Sequence, residues 1–223
     1  MRRRSIYFFG DSICFGQYVS PHEVWVTRLS AELCKWAERQ GWQLLVQNPS
    51  INGETTRRAL ERMAYDVQSH SPDLLYIQFG MNDCNVWQTD AGHPRVSEAG
   101  FSANLREMIE RGKRFGAKRV AIATNHPSTR TETLLPNTTV TYQQNNSRYN
   151  EIIRTVAAQY DGMATLVDME REVLRYIGDD FGKLAELLLP DGIHLAKKGH
   201  EFYFERMKVL LLPILQEMCV WND

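Results

Sequence analysis

The stretch Ser5-Ile6-Tyr7-Phe8-Phe9-Gly10-Asp11-Ser12-Ile13-Cys14-Phe15-Gly16 is the one on which the fold turns. A short apolar, β-prone run, broken by glycine and followed by a small polar pair, reads as a buried strand, a tight turn and the opening of a helix. Where strands feed helix N-termini in an α/β sheet, backbone N–H groups gather at one rim. A hydroxyl set there can attack a carbonyl whose developing charge those groups stabilise. Ser12 is therefore the candidate nucleophile. The same serine also suits the N-cap of the helix that follows, and the turn alone does not choose between the roles.

Outward from this stretch, apolar runs and helical patterns alternate. Val24, Leu29, Leu33 and Trp36 mark an amphipathic helix over residues 23–40 that stops at Gly41, and 44–47 is a second strand. The loop Asn48-Pro49-Ser50-Ile51-Asn52-Gly53-Glu54 opens a helix running to about Ser69, and 73–79 is a third strand ending in Gly80-Met81-Asn82-Asp83. A helix over 98–115, a strand over 119–124, a helix over 145–160, a strand over 164–168, a helix to about Gly178 and a last helix over 196–218 complete the series. Five short strands alternating with helices predict a mostly parallel sheet with helices on both faces, because right-handed crossovers lay each helix back on the sheet. The polar loops then fall on the carboxyl rim, apart from the one around Asp191. Residues 126–142 are too long for a plain connection and form a candidate lid or substrate-binding loop.

With 223 residues, one domain spanning 1–223 is expected. A hydrophobic content of 43%, a charged content of 24% and a formal net charge of -1 leave no footprint for nucleic acid or an acidic membrane, so the expected partner is a small molecule. Met1-Arg2-Arg3-Arg4 resembles the basic start of a signal peptide, but the apolar run behind it ends at Gly10, and cleavage there would remove Gly10-Asp11-Ser12. The longest apolar run, 209–215, falls short of the ~18 residues that span a bilayer. A cytoplasmic protein is expected. Cys14, Cys34, Cys84 and Cys219 are scattered without metal-ligand spacing and read as reduced thiols.

A serine esterase needs a nucleophile, a base, a group that orients the base, and donors for the oxyanion. Asp191 and His194, three residues apart in a loop before the last helix, supply a base with its carboxylate; a plain Asp-Gly turn is the other reading of that loop. His126, at the exit of the fourth strand, is the reserve base. For the oxyanion, the N–H of Ser12, the N–H of Gly53 and the amide of Asn82 can converge from the ends of three strands. Singly each is also an ordinary turn residue.

In chain order, Gly10-Asp11-Ser12, Gly53, Gly80-x-Asn82-Asp83 and Asp191-x-x-His194 resemble the blocks of the SGNH (GDSL-type) hydrolases over nearly the whole length. The resemblance implies a three-layer α/β/α, flavodoxin-like fold with a five-stranded sheet. It also implies Ser12 as nucleophile, His194 as base, Asp191 as its partner, Ser12, Gly53 and Asn82 as the oxyanion hole, and no metal or cofactor. The segments 52–56 and 79–83 are similar to the bacterial branch with lysophospholipase- and acetylesterase-like members. Ile13 stands where the family name expects Leu. The Gly-x-Ser-x-Gly elbow of α/β-hydrolases is absent.

The expected substrate is a short-chain, acetyl-type ester of a sugar or small alcohol. Asp11, Phe15, Trp25, Met81, Trp87, Tyr142 and Ile193 are candidates to position it or line its pocket, although isolated apolar residues more often belong to the core. Two alternatives stand beside it: a lysophospholipase or thioesterase for longer acyl chains, and a non-catalytic flavodoxin-like binding module for FMN or a phosphate. The second is disfavoured by the carboxylate of Asp11 in the turn.

Overall fold

Along β1 (Arg2–Gly10) the side chains of Ile6 and Phe8 enter one apolar cluster and those of Tyr7 and Phe9 another, the alternation of a strand buried on both faces. The same alternation runs through β3 (Leu74–Gln78), with Leu74 and Tyr76 on one side and Leu75 and Ile77 on the other, and β4 (Arg119–Ala123) repeats it. The computed structural model describes residues 2–178 and 180–220; the side chain of Cys219 lies outside the described set. Among the described residues, β2 (Trp42–Gln47) and β5 (Ala164–Val167) complete one five-stranded sheet, every pair parallel, in the order β2-β1-β3-β4-β5.

Helices cover both faces. On one side α2 (Trp25–Arg39) and α8 (Lys197–Val220), with α6 (Met169–Ile177) and α7 (Phe181–Leu187), bury Leu29, Val173, Leu184, Tyr203, Met207 and Leu211 against Phe8 and Tyr76. On the other, α3 (Thr56–Asp66), α4 (Glu98–Arg114) and α5 (Tyr142–Gln159) bury Met63, Phe101, Leu105, Tyr149 and Ile153 against Phe9 and Ile77. The α/β/α sandwich expected from the sequence is therefore present. Phe8 meets Trp25 edge-on at 5.5 Å between ring centres, and removing a buried ring of this kind costs about 3–5 kcal/mol.

Two elements depart from the sequence expectation. Helix α5 begins at Tyr142, three residues early, because Thr141 and Gln144 form a reciprocal cap in which Gln144 N–H donates to Thr141 Oγ1 and Thr141 N–H to Gln144 Oε1. Helix α7 had no counterpart. Asp180 Oδ1 accepts from Gly182 and Lys183 N–H to start it, and Leu184 and Leu187 face the core.

The chain leaves β1 for β2 on one side and returns for β3 on the other, so the strand order reverses at the carboxyl end of β1, where a sheet of this type opens a crevice. Helix α2 enters that region without a side-chain cap of its own. Its first N–H, that of Trp25, instead donates to Nδ1 of His200 on α8. His200 is buried, and burial pushes its imidazole down to about 4, with Glu23 opposing and Arg28 adding to the shift.

Below pH ~6.5 the unfolded chain takes up a proton there that the fold refuses, so the stability contributed by neutral His200 is complete above that pH and is lost toward pH ~4. His200→Asn keeps an acceptor for Trp25 N–H and removes the titration. Denaturant unfolding across this range is expected to show the advantage of wild type over His200→Asn shrinking as the pH falls. A gap that does not vary with pH would rule the linkage out.

Candidate active site

Behind β1 the helix α1 (Ser12–Phe15) is a single turn, and Asp11, not Ser12, is its N-cap: Asp11 Oδ1 accepts from Ile13 N–H at 3.0 Å. Ser12 is the first helical residue, so its hydroxyl is not engaged in capping. Trp25 Nε1 donates to Ile13 O at 2.8 Å and fixes the turn from α2. Gly10 is required by packing. A Cβ there would lie 2.7 Å from Cys14 Sγ and 2.9 Å from Gln78 O at the end of β3. Cys14 is fully buried, its thiol faces Gln78 Oε1 at 3.1 Å, and burial first, then Asp11, raise its pKa well above the ordinary value.

The Asp191 loop returns from the far end of the chain. A bridge between Leu188 and Leu195 and the bond from Leu189 N–H to His194 O, at 2.7 Å, fold it into a tight loop. Asp191 Oδ1 accepts from the N–H groups of Ile193 and His194, both at 2.9 Å, and Oδ2 meets His194 Nδ1 at 2.5 Å. His194 Nε2 lies 2.9 Å from Ser12 Oγ. Burial works against ionisation of Asp191, but the bonds from His194 and the two backbone N–H groups outweigh it and hold the carboxyl below its ordinary value. The carboxylate thus fixes Nδ1–H as the donor and leaves Nε2 free to accept the serine proton.

This loop is strapped by the segment that the sequence marks as a candidate lid. Arg130 Nε donates to Asp191 O, Ser128 Oγ and Thr129 N–H donate to Gly192 O, and His126 Nε2 meets Ile193 O, at 2.7 to 3.1 Å. Residues 126–130 therefore serve as a brace. His126, the reserve base, has both ring nitrogens occupied, Nδ1 by Tyr203 Oη at 2.7 Å, and burial pushes its pKa down to about 4. It faces the loop and not Ser12.

The strand order places the loops after β2 and β3 on either side of Ser12. Gly53 has φ +70, and a Cβ on it would meet nothing within 4 Å, so its backbone faces open space. Asp83 ties the two loops: its Oδ1 accepts from Thr56 N–H at 2.9 Å and from Thr56 Oγ1 at 2.5 Å, at the start of α3. Asn82 is half-buried, and its Nδ2 donates to Asp11 Oδ2 at 3.4 Å. Asp11 is fully buried and its carboxyl is pushed up to about 7, mainly by burial and further by Asp83, against the bonds from Ile13 and Asn82.

The remaining candidates divide. Asp11, Trp25 and Met81 are 0%, 0% and 3% exposed, too little to face a substrate, and Trp25 packs with Phe8. Tyr142 is 2% exposed and its Oη donates to Met81 O, but its side chain still lines the cavity beside Trp87. Asp11, Trp25 and Met81 therefore support the site and do not line its pocket. Phe15 and Trp87 are half exposed on the rim and Ile193 is half-buried. Trp87, Leu134, Leu135, Pro136 and Arg130 surround a cavity of about 420 Å³ between the loop after Asn82 and the strap. Tyr18 had no role in the sequence: it stands at φ +71 with its ring edge-on to His194 at 5.2 Å. Only the folded turn brings it there. Among the described residues no three His, Cys, Asp or Glu side chains are grouped to hold a metal ion, and no helix is long and apolar enough to cross a membrane.

Comparison with known proteins matches residues 8–202 to the GDSL-like lipase/acylhydrolase family. The uncharacterized lipoprotein YqeF of Bacillus subtilis is 28% identical over 88% of this chain and 85% of its own length. Esterase TesA of Pseudomonas aeruginosa is 25% identical over 92% and 87%. A solved lipase/acylhydrolase from Enterococcus faecalis superposes with a TM-score of 0.71 at 25% identity, covering 93% of this chain and 95% of that one.

Ser12→Ala is expected to abolish covalent labelling by a fluorophosphonate probe while the circular dichroism spectrum stays that of wild type; labelling that persists would exclude Ser12 as the nucleophile. Asn82→Ala is expected to lower kcat by about 100- to 1000-fold, the cost of one oxyanion donor. A rate near that of wild type would take Asn82 out of the hole.

Proposed function

We propose that this chain, which belongs to the GDSL-like lipase/acylhydrolase family, cleaves its esters through an acyl-enzyme on Ser12. The enzyme is a serine carboxylic ester hydrolase acting on small-molecule esters. The observation that carries the residue assignment is the unbroken chain from Asp191 Oδ2 through His194 to Ser12 Oγ, at 2.5 and 2.9 Å.

In the proposed reaction His194 Nε2 takes the Ser12 hydroxyl proton as Oγ bonds to the ester carbonyl carbon, and the carbonyl oxygen becomes an oxyanion. Donors from Ser12 N–H, Gly53 N–H and Asn82 Nδ2 stabilise that charge. Collapse breaks the bond to the alcohol oxygen, which leaves with the proton from His194. Water then repeats the sequence on the acyl-enzyme, with His194 as base, and frees the acid and Ser12. Asp191 stays ionised throughout and holds the imidazole in register. Each step uses residues of this chain alone.

For the substrate we favour a short-chain, acetyl-type ester of a sugar or small alcohol. The support is the modest size of the cavity beside Trp87 and the character of the rim, where the exposed rings of Tyr18 and Trp87 offer flat faces to a sugar. The second reading, a longer acyl chain, draws on Trp87 and Leu134, which are both exposed and line the same cavity. A cytoplasmic location belongs to the same proposal and accords with the free thiols of Cys14, Cys34 and Cys84.

Hydrolysis of p-nitrophenyl esters from acetyl to palmitoyl, run beside acetylated sugars, is expected to show kcat/KM highest at two to four carbons and falling beyond. An optimum at long chains would replace this substrate class with the second reading.

A further inference from the structure

Arg95 lies in the connection between the Asn82 loop and α4, where its own N–H donates to Asn85 O and the next N–H, of Val96, donates to Asp83 O. Its backbone is thus built onto the loop that carries Asn82. Its guanidinium turns back under the rim. Nη1 lies 3.4 Å from Gly53 O and 3.4 Å from Asn82 Oδ1, and the cation stacks 4.1 Å from the centre of the Trp87 ring. One nitrogen therefore touches two loops that the sheet delivers separately, after β2 and after β3.

The contact with Asn82 decides which end of the amide faces the crevice. With Oδ1 accepting from Arg95 and one Nδ2 hydrogen donated to Asp11 Oδ2, the second Nδ2 hydrogen remains for an oxyanion. A flipped amide would set NH2 against the guanidinium and oxygen against the Asp11 carboxyl, losing both bonds. At Gly53 the same nitrogen holds the peptide that follows a left-handed backbone with no side chain to steady it. Contacts of 3.4 Å are long for hydrogen bonds, as site contacts often are before substrate tightens them.

Charge gives a second reason. Asp11 and Asp83 are both buried beneath the hole, and any negative charge they carry opposes the oxyanion. Arg95 is a cation close enough to Asp83 to act on it: burial raises the Asp83 carboxyl to about 6 even with the Thr56 bonds and, after them, the attraction of Arg95 holding it down.

We propose that Arg95 is a positioning residue of the oxyanion hole: it orients the Asn82 amide, fixes the Gly53 backbone and offsets the buried Asp83 carboxylate, with Trp87 keeping its guanidinium in place. This rests on the assignment of Gly53 and Asn82 to the hole. The test is a double-mutant cycle on a short-chain ester, with Arg95→Met, Asn82→Ala and the pair. Arg95→Met alone is expected to lower kcat by about 10- to 100-fold with KM changed less than about 3-fold, and by less than about 5-fold when Asn82 is already alanine. Arg95→Lys, which keeps the charge without the fork, is expected to fall between wild type and Arg95→Met.

Equal losses in both backgrounds, or a kcat for Arg95→Met within about 2-fold of wild type while Asn82→Ala is impaired, would overturn the role of Arg95 and leave the hole intact. A near-normal Asn82→Ala would overturn the hole itself, and Arg95 with it. If Arg95→Met does not fold, Trp87→Ala carries the same cycle, since Trp87 is 51% exposed and outside the core. Its loss of kcat is expected to vanish in the Asn82→Ala background, and a loss of the same size in both would count against the proposal.

Discussion

At Gly10 the ends of β1 and β3 come together as closely as two backbones and one small side chain permit, with no room for a methyl group between Cys14 and Gln78. The rim is laid out from that contact. Because the strand order reverses there, the loops after β2 and β3 part on either side of Ser12 instead of packing over it. The loop carrying Gly53 is fastened to the same point, since Ile51 N–H donates to Gly10 O. One glycine thus sets the spacing of the elements that form the crevice.

Under the rim the protein is unusually polar for its depth. Thr124, Asn125, His126, Ser128, Asn146 and Asn150 are all buried, and they bond chiefly to backbone groups of the loops above them. Each such bond contributes only about 1 kcal/mol, yet leaving one partner unmet costs more, so the tier holds its loops in one arrangement. It holds the His194 loop, through Gly192 O and Ile193 O, and the end of β3, through Phe79 O, in place.

Much of this was legible in the sequence because it depends on local pattern. The two-sided apolar runs announced parallel strands, and the glycine-punctuated polar pairs that follow them announced the rim. Ser12, Asp191 and His194 could be named because a hydroxyl, a carboxylate and an imidazole have few other reasons to occupy such turns together. The capping role of Asp11 and the early start of α5 are also carried by local sequence, the latter in Thr141-x-x-Gln144, although the pattern points to Ser12 as the alternative cap and to 145 as the helix start. What could not be read was contact between distant segments. Met81 has the composition of a pocket residue, and only the packing of α5 under the Asn82 loop, where Tyr142 Oη bonds to its carbonyl, shows that it is sealed inside. His126 looked like a base until Tyr203 and Ile193 took both its nitrogens. Arg95 gave no signal, since its two acceptors are a backbone carbonyl and an amide on other loops.

The bond between His194 and Ser12 spans 182 positions of the chain. At ~5–20 residues per second, synthesis on the ribosome separates the appearance of the two by about 10–35 s. On the proposed assignment, Ser12 is an ordinary alcohol during that interval, because the imidazole proposed to activate it does not yet exist. The carbonyls that position the imidazole are gripped from residues 126–130, so the nascent chain already holds the clamp when its cargo emerges. On the proposed assignment, hydrolytic power therefore arises only once residue 194 has been made and its loop has docked on residues 126–130.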